Sequence, residues 1–319
     1  MTRQEKIYDL LIIGGGPAGF SSAIYASRSQ MSVLVIESML SGGQIATTEK
    51  MENYPGFPDG VNGMEFGQLL EKQARTFGSE MVLATVTGVS LQERIKQVHT
   101  TEGTFRGRSV VIATGTRSRP LGVPGEEELK GKGVSYCATC DGFFYQERTV
   151  MVVGGGDSAL EEALVLTKFA SKVYVVHRRE ELRAIAILQE RAHANSKIEL
   201  ILNTEVAKFN GDERLESVTL HNKVQNKTWD LPVDGLFLYV GLIPNTEFLA
   251  KAIEQNEHGY LLATEEMETS IAGVFVAGDL RVKSLRQVVT AVADGAIAAF
   301  SAAHYVDELN ESERRQNDE

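Results

Sequence analysis

The sequence predicts an α/β protein built from two Rossmann-like, three-layer nucleotide-binding domains, the second inserted into a first that is assembled from both ends of the chain. Three observations carry this expectation. An apolar run of strand length ends in the glycine turn Gly14-Gly15-Gly16-Pro17-Ala18-Gly19, and the same plan recurs at Gly154-Gly155-Gly156-Asp157-Ser158-Ala159. Loop signals at 120–124 and 244–246 mark two crossings between domains. The expected boundaries are 1–117 and 246–319 for the first domain and 118–245 for the second.

With 319 residues the chain is long enough for two domains with cores of their own, and 43% hydrophobic against 24% charged residues is ordinary for a globular protein. A formal net charge of -11 argues against nucleic acid or an anionic membrane as partner. No apolar run is expected to reach the roughly 20 residues of a membrane helix. The first residues lead into a strand without a signal-peptide pattern, so the expected location is cytoplasmic.

In the first copy, residues 8–13 are the strand, helix-compatible sequence follows the turn to about residue 29, a second strand covers 32–36, and Glu37 closes it. Glycines in this order let the backbone approach a pyrophosphate, the helix N-terminus supplies N–H groups and a positive dipole end, and the acid accepts from ribose hydroxyls. The glycine pattern alone is weak, and the flanking strands and Glu37 strengthen it.

The second copy has its strand at 149–153, a helix to about 169 and a further strand at 172–176. Two nucleotide sites imply two cofactors, or a cofactor and a co-substrate. The copies differ where charge discriminates: His177 stands where Glu37 stands in the first and opens His177-Arg178-Arg179-Glu180-Glu181-Leu182-Arg183. A carboxylate pairs with a free ribose hydroxyl, whereas this cluster suits a 2′-phosphate, which arginine meets in bidentate fashion. The second site therefore reads as NADP and the first as FAD or NAD, the alternative for the cluster being a solvated basic face.

Gly43-Gln44 and Glu52-Asn53-Tyr54-Pro55-Gly56 are loop signals with polar groups suited to face a ring system. Residues 91–105 alternate weakly, as a short meander does, before the strand 110–112 and Ala113-Thr114-Gly115; 215–229 and 233–240 repeat that arrangement. Near the C-terminus the strand 274–277 ends in Gly278-Asp279, Arg286-Gln287 opens an alanine-rich helix to about 309, and the charged tail 310–319 is expected to fray. Asp279 suits a ribityl chain or, equally, a helix cap. The start of the helix, aimed at a flavin's pyrimidine side, would stabilise negative charge there.

The only two cysteines stand in Cys137-Ala138-Thr139-Cys140-Asp141, just before the second copy. This spacing suits thiol–disulfide exchange, in which one sulfur attacks and the other resolves, with Asp141 placed to hand a proton to the departing thiolate. Zinc would need further ligands, and the six histidines show no ligand-like spacing, so no metal is expected. A structural disulfide closing so short a loop would stabilise little.

Assembled, these residues resemble the low-molecular-weight, bacterial-type thioredoxin reductases, and the resemblance spans nearly the whole chain. It rests on GGGPAG at 14–19, GGQ at 42–44, ENYPG at 52–56, ATG at 113–115, CATCDGFFY at 137–145, GGGDSA at 154–159, HRREELR at 177–183, GLIPNTEF at 241–248, GVFVAGD at 273–279 and RQ at 286–287. The resemblance implies a homodimeric FAD enzyme in which NADPH reduces the flavin, the flavin reduces a Cys137–Cys140 disulfide, and the dithiol reduces thioredoxin or a thioredoxin-like protein. It assigns Cys140 as the flavin-side sulfur, Cys137 as the attacking one and Asp141 as the acid. FAD contacts fall to Gly14, Gly16, Pro17, Ala18, Gly19, Glu37, Gly43, Gln44, Asn53, Val86, Ala113, Thr114, Gly115, Gly278, Asp279, Arg286 and Gln287. NADPH contacts fall to Gly154, Gly156, Asp157, Ser158, Ala159, His177, Arg178, Arg179 and Arg183. A rotation of the NADPH domain between half-reactions is also implied, with Phe143 and Phe144 as docking residues unless they are ordinary core aromatics. Related flavoproteins fit less well. The hydroperoxide-system reductase carries further cysteines, an oxygen-using disulfide oxidase lacks the basic cluster, and a ferredoxin-type NADP reductase lacks the cysteine pair. A non-catalytic flavin-binding protein would have no need of all three motif sets.

Overall fold

The computed structural model describes residues 3–39, 41–48 and 50–317, except for the side chains of Thr139, Cys140, Gln316 and Asn317. The chain divides into two compact units, Met1–Arg117 with Ile243–Glu319, and Ser118–Leu242. Both have the α/β architecture that the glycine turns predict.

In the first unit the strand Ile7–Ile13 is central. It runs parallel to Val33–Glu37 on one side and to Gly103–Ile112 on the other. The seven-stranded sheet continues outward through Glu80–Leu83 at one edge and Lys96–Thr100 and Val86–Ser90 at the other, with Val274–Val276 also pairing with Gly103–Ile112. The unbroken apolar run makes sense once both faces are covered. Leu10 and Ile12 enter a core shared with helix residues Phe20 and Ala23, while Tyr8, Leu11 and Ile13 enter another with Val98, Phe105 and Leu261. Each such fully buried side chain contributes about 1.5–3 kcal/mol.

The helix Pro17–Arg28 begins with proline, whose missing N–H costs nothing at that position, and packs against the long helix Val288–Asn317. Their approach is close because the contacts are small: a β-carbon on Gly295 would lie 2.1 Å from the Ala18 carbonyl oxygen. The Ser21 and Ser22 hydroxyls donate to the Val292 and Gly295 carbonyls at 2.7 and 2.8 Å.

Three expectations need correction here. The meander starts earlier, at Val86, and its last strand runs unbroken into the closing one, because residues 103–107 pair antiparallel with Lys96–Thr100 while 106–112 pair parallel with Ile7–Ile13. The tail is helical to Asn317, held by Glu313 between Arg94 and Arg108 at 2.9 and 3.1 Å. By length and composition Val288–Arg315 does reach the apolar content of a membrane span, since its alanines raise the mean hydropathy of an 18-residue window to 1.3. One face of this helix is nonetheless core, through the buried Ala291, Ala298, Ala299 and Ala302.

The second unit holds a five-stranded parallel sheet in the order Ile198–Ile201, Lys172–Val176, Thr149–Val153, Gly235–Leu238, Val134–Ser135. The helix Asp157–Leu166 packs against it. Its antiparallel part is a separate three-stranded sheet, Thr204–Asn210, Ser217–Asn222 and Lys227–Pro232, beginning one strand before the alternation at 215–229 predicts.

Candidate active site

The first glycine turn is built by close approaches. Gly14 has φ of 108°, and a β-carbon there would stand 2.4 Å from the Ala113 carbonyl oxygen. One on Gly19 would stand 1.8 Å from the Gly14 oxygen. Gly16 differs, because its nearest neighbour is the Gly42 carbonyl oxygen at 3.9 Å, and it caps the helix Pro17–Arg28 with no side-chain hydrogen bond. The turn thus offers helix N–H groups beside a gap where a phosphate oxygen fits. Glu37 Oε2 accepts the Gly15 N–H at 2.5 Å, and its Oε1 accepts those of Ser38 and Met39 at 2.8 and 2.9 Å. Backbone donors therefore orient the carboxylate, which keeps lone pairs for a ribose.

Other expected residues gather in the same unit. The Gly42 N–H donates to the Gly15 carbonyl, setting Gly43 against Gly16, and Gln44 Nε2 donates to the carbonyl and hydroxyl of Thr116. Asn53 Nδ2 donates to Gln287 Oε1 at 3.0 Å, joining the 52–56 loop to the residue preceding the long helix. Thr114 Oγ1 donates to the Asn245 carbonyl at 2.7 Å, and Gly115, with φ of 60°, faces open space. Val86 is half-buried at the start of its strand. Gly278 lies against Ala18, bringing Asp279 to the first turn. Arg286 stacks 4.1 Å over the Tyr260 ring and donates from Nε to the Asp279 carbonyl at 3.1 Å.

Asp279 Oδ1 is buried without any protein partner, and burial raises its carboxyl above the ordinary range. A buried acceptor left open by the protein fits a hydroxyl donor such as that of a ribityl chain, which favours FAD at this unit. Beneath it lies a residue the motifs did not disclose. Asp294 accepts the Gly278 N–H at 3.0 Å, Arg281 Nε at 2.9 Å and Lys283 Nζ at 2.7 Å. Burial alone would push this carboxyl up, but hydrogen bonds from Arg281 and Lys283 overcome it and hold Asp294 low.

In the second unit Gly154 approaches the Tyr239 carbonyl, while Gly156, which caps the helix Asp157–Leu166 without a side-chain bond, has no protein atom within 4 Å of where a β-carbon would lie. Ala159 is buried and Ser158 exposed, and Asp157 Oδ1 accepts the Ile185 N–H at 2.8 Å. Arg178, Arg179 and Arg183 are exposed, and the Arg183 N–H donates to the Gly155 carbonyl at 2.6 Å, tying the basic loop to the turn. His177 behaves differently from its arginine neighbours. It is 6% exposed with its ring against Gly155, and burial, then Arg183, Arg179 and Arg178, lower its pKa, so it is neutral at physiological pH. The three arginines, without the histidine, supply the charge.

Cys137 is disulfide-bonded, and the chain's only other cysteine is Cys140, whose side chain lies outside the described ones. Ala138–Asp141 forms one helical turn. Ser135 Oγ donates to Asp141 Oδ2 at 2.6 Å and accepts the Cys137 N–H at 3.0 Å, while the Tyr239 hydroxyl accepts the Ala138 N–H at 2.9 Å. Neither Ser135 nor Tyr239 belongs to a motif found in the sequence, although Ser135 stands only two positions before Cys137. Phe143 and Phe144 are 63% and 72% exposed, so they are not core aromatics.

Two glycine turns of the nucleotide-binding kind, the second bordered by three arginines and with His177 where the first has Glu37, and a disulfide-bonded cysteine preceding the second fit a nucleotide-dependent disulfide oxidoreductase. The chain belongs to the pyridine nucleotide-disulphide oxidoreductase family, which its residues 8–295 match. It is 46% identical over 314 residues to a thioredoxin reductase of Listeria innocua, covering 98% of each chain. To that of Bacillus subtilis it is 45% identical over 310 residues, covering 97% of this chain and 98% of the other. The crystal structure of Lactococcus lactis thioredoxin reductase superposes with a TM-score of 0.92 at 41% identity, over 94% of this chain and 99% of that one.

Proposed function

We propose that the protein is an NADPH-dependent thioredoxin-disulfide reductase, passing electrons through FAD and a Cys137–Cys140 disulfide to thioredoxin or a thioredoxin-like protein. The observation that carries this reading is the disulfide turn on the same unit as an uncapped glycine turn bordered by three exposed arginines. Full-length likeness to thioredoxin reductases supports it.

Met1–Arg117 with Ile243–Glu319 is the FAD unit and Ser118–Leu242 the NADPH unit. FAD supplies the two-electron relay between pyridine nucleotide and disulfide. The protein's part is to hold and orient. Gly16 leaves helix N–H groups for its pyrophosphate, Glu37 takes a ribose, and Asp279 accepts from the ribityl chain. At the other turn Gly156 leaves room for the NADPH pyrophosphate, and Arg178, Arg179 and Arg183 meet the 2′-phosphate. Cys140 takes the electrons, Asp141 gives a proton to the thiolate released, and Cys137 attacks the partner disulfide, with Phe143 and Phe144 as the apolar docking contact. We take the homodimer from the family. A redox pair as the only cysteines suits a reducing compartment, in keeping with the cytoplasm.

The test is Cys140→Ser. NADPH should still bleach the flavin while thioredoxin reduction is lost; loss of flavin reduction itself would reverse the assigned electron order.

A further inference from the structure

The hydroxyl of Ser135 has one proton to give and two acceptors in reach, Asp141 Oδ2 at 2.6 Å and the Cys137 carbonyl at 3.4 Å. The short contact to the carboxylate takes it. The oxygen's lone pair meanwhile accepts the Cys137 N–H at 3.0 Å. One side chain therefore links the backbone of a redox cysteine to the only carboxylate on the cysteine turn. Among the described residues, the phenols of Tyr239 and Tyr145 also face Asp141. Burial holds both phenols above the ordinary tyrosine range, so they stay neutral. Behind them stand Glu162, beside Tyr239, and Arg148 and Asp234, beside Tyr145.

We infer that Ser135 is a positioning residue for proton transfer at Asp141, fixing the carboxyl against the cysteine turn. This rests on the disulfide-reductase reading. When two electrons cleave the Cys137–Cys140 bond, two thiolates form. The Asp141 carboxyl gives its proton to one of them, leaving one thiol, one thiolate and a carboxylate. Ser135 donates to that carboxyl group and accepts from the Cys137 N–H, so it holds the proton donor beside the sulfur it serves.

The experiment compares NADPH-dependent thioredoxin reduction by the holoenzyme with anaerobic bleaching of its flavin by NADPH in Ser135→Ala, Ser135→Thr and Asp141→Asn. Ser135→Ala should lower kcat for thioredoxin reduction severalfold while leaving the KM for thioredoxin and the bleaching by NADPH as in the wild type. Ser135→Thr keeps the hydroxyl and should restore kcat. Combined with Asp141→Asn, Ser135→Ala should lower kcat no further. An unchanged kcat, a slowed bleaching, or a further loss in the Asp141→Asn background overturns the inference. Failure of the wild-type protein to reduce thioredoxin overturns the functional reading instead, so the two failures are separable.

Discussion

Gly156→Ala separates a glycine kept for a ligand from one kept for the fold. At Gly156 a β-carbon meets no protein atom within 4 Å, and φ is −99°, open to any residue. At Gly19 the same atom would stand 1.8 Å from a carbonyl oxygen. Alanine at 156 displaces nothing, and its lower freedom in the unfolded chain is worth about 0.4–1 kcal/mol. Its weaker preference for a helix N-cap costs a similar amount, so stability should stay near wild type. The methyl instead stands over the uncapped start of the helix Asp157–Leu166, the site proposed above for the NADPH pyrophosphate. Loss of one charge-assisted hydrogen bond there, about 1.5–3 kcal/mol, raises the NADPH Kd roughly ten- to a hundredfold. The assay is the NADPH concentration that half-bleaches the flavin, run beside thermal unfolding. Unchanged NADPH affinity at unchanged Tm would refute the placement of the pyrophosphate, and a large fall in Tm would refute the open space.

Two carboxylates make opposite predictions. Asp279 has a folded-state pKa raised by burial, so the folded protein binds more protons than the unfolded chain between the two values and gains stability as pH falls through that window. Asp279→Asn should remove that pH dependence from FAD-free protein, stabilise it at neutral pH and weaken FAD retention; thermal melts across pH, which would show no difference between the proteins if the carboxyl were not buried, check this. Asp294 has a depressed folded-state pKa, so its contribution is present above the unfolded value and lost as pH falls through the folded one. Asp294→Ala leaves Arg281 and Lys283, mostly buried, without their carboxylate and should cost about 3–5 kcal/mol at neutral pH, converging with wild type in acid. A urea-unfolding difference below about 1 kcal/mol would contradict the paired-cluster account.

What could be read from the sequence was local. Glycine turns, the strands that feed them and the sign of charge after Val176 depend on neighbours a few residues apart, and they sufficed for the fold class and for the nucleotide sites proposed here. The helix Gly63–Thr76 was not legible, because Gly63 and Gly67 argue against a helix until the close approach that requires them is seen. A β-carbon on Gly67 would lie 2.7 Å from the Gly42 Cα. His177 counted with the arginines by composition, yet packing turns its ring under Gly155 and leaves it neutral. The Asp294 cluster joins the long helix to residues 11 to 16 positions before it, and the Ser135 bridge, although it spans only two to six positions, depends on how the cysteine turn closes, so neither shows as a spacing motif. The helical tail likewise depends on Arg94 and Arg108, some two hundred positions before Glu313.

The most direct test of the relay is anaerobic: add NADPH to the purified holoprotein, follow the flavin absorbance, then add oxidised thioredoxin. Bleaching followed by rapid return is the predicted result. Bleaching with no return on addition of thioredoxin would contradict the assignment of that partner, and no bleaching at all would contradict NADPH as the donor.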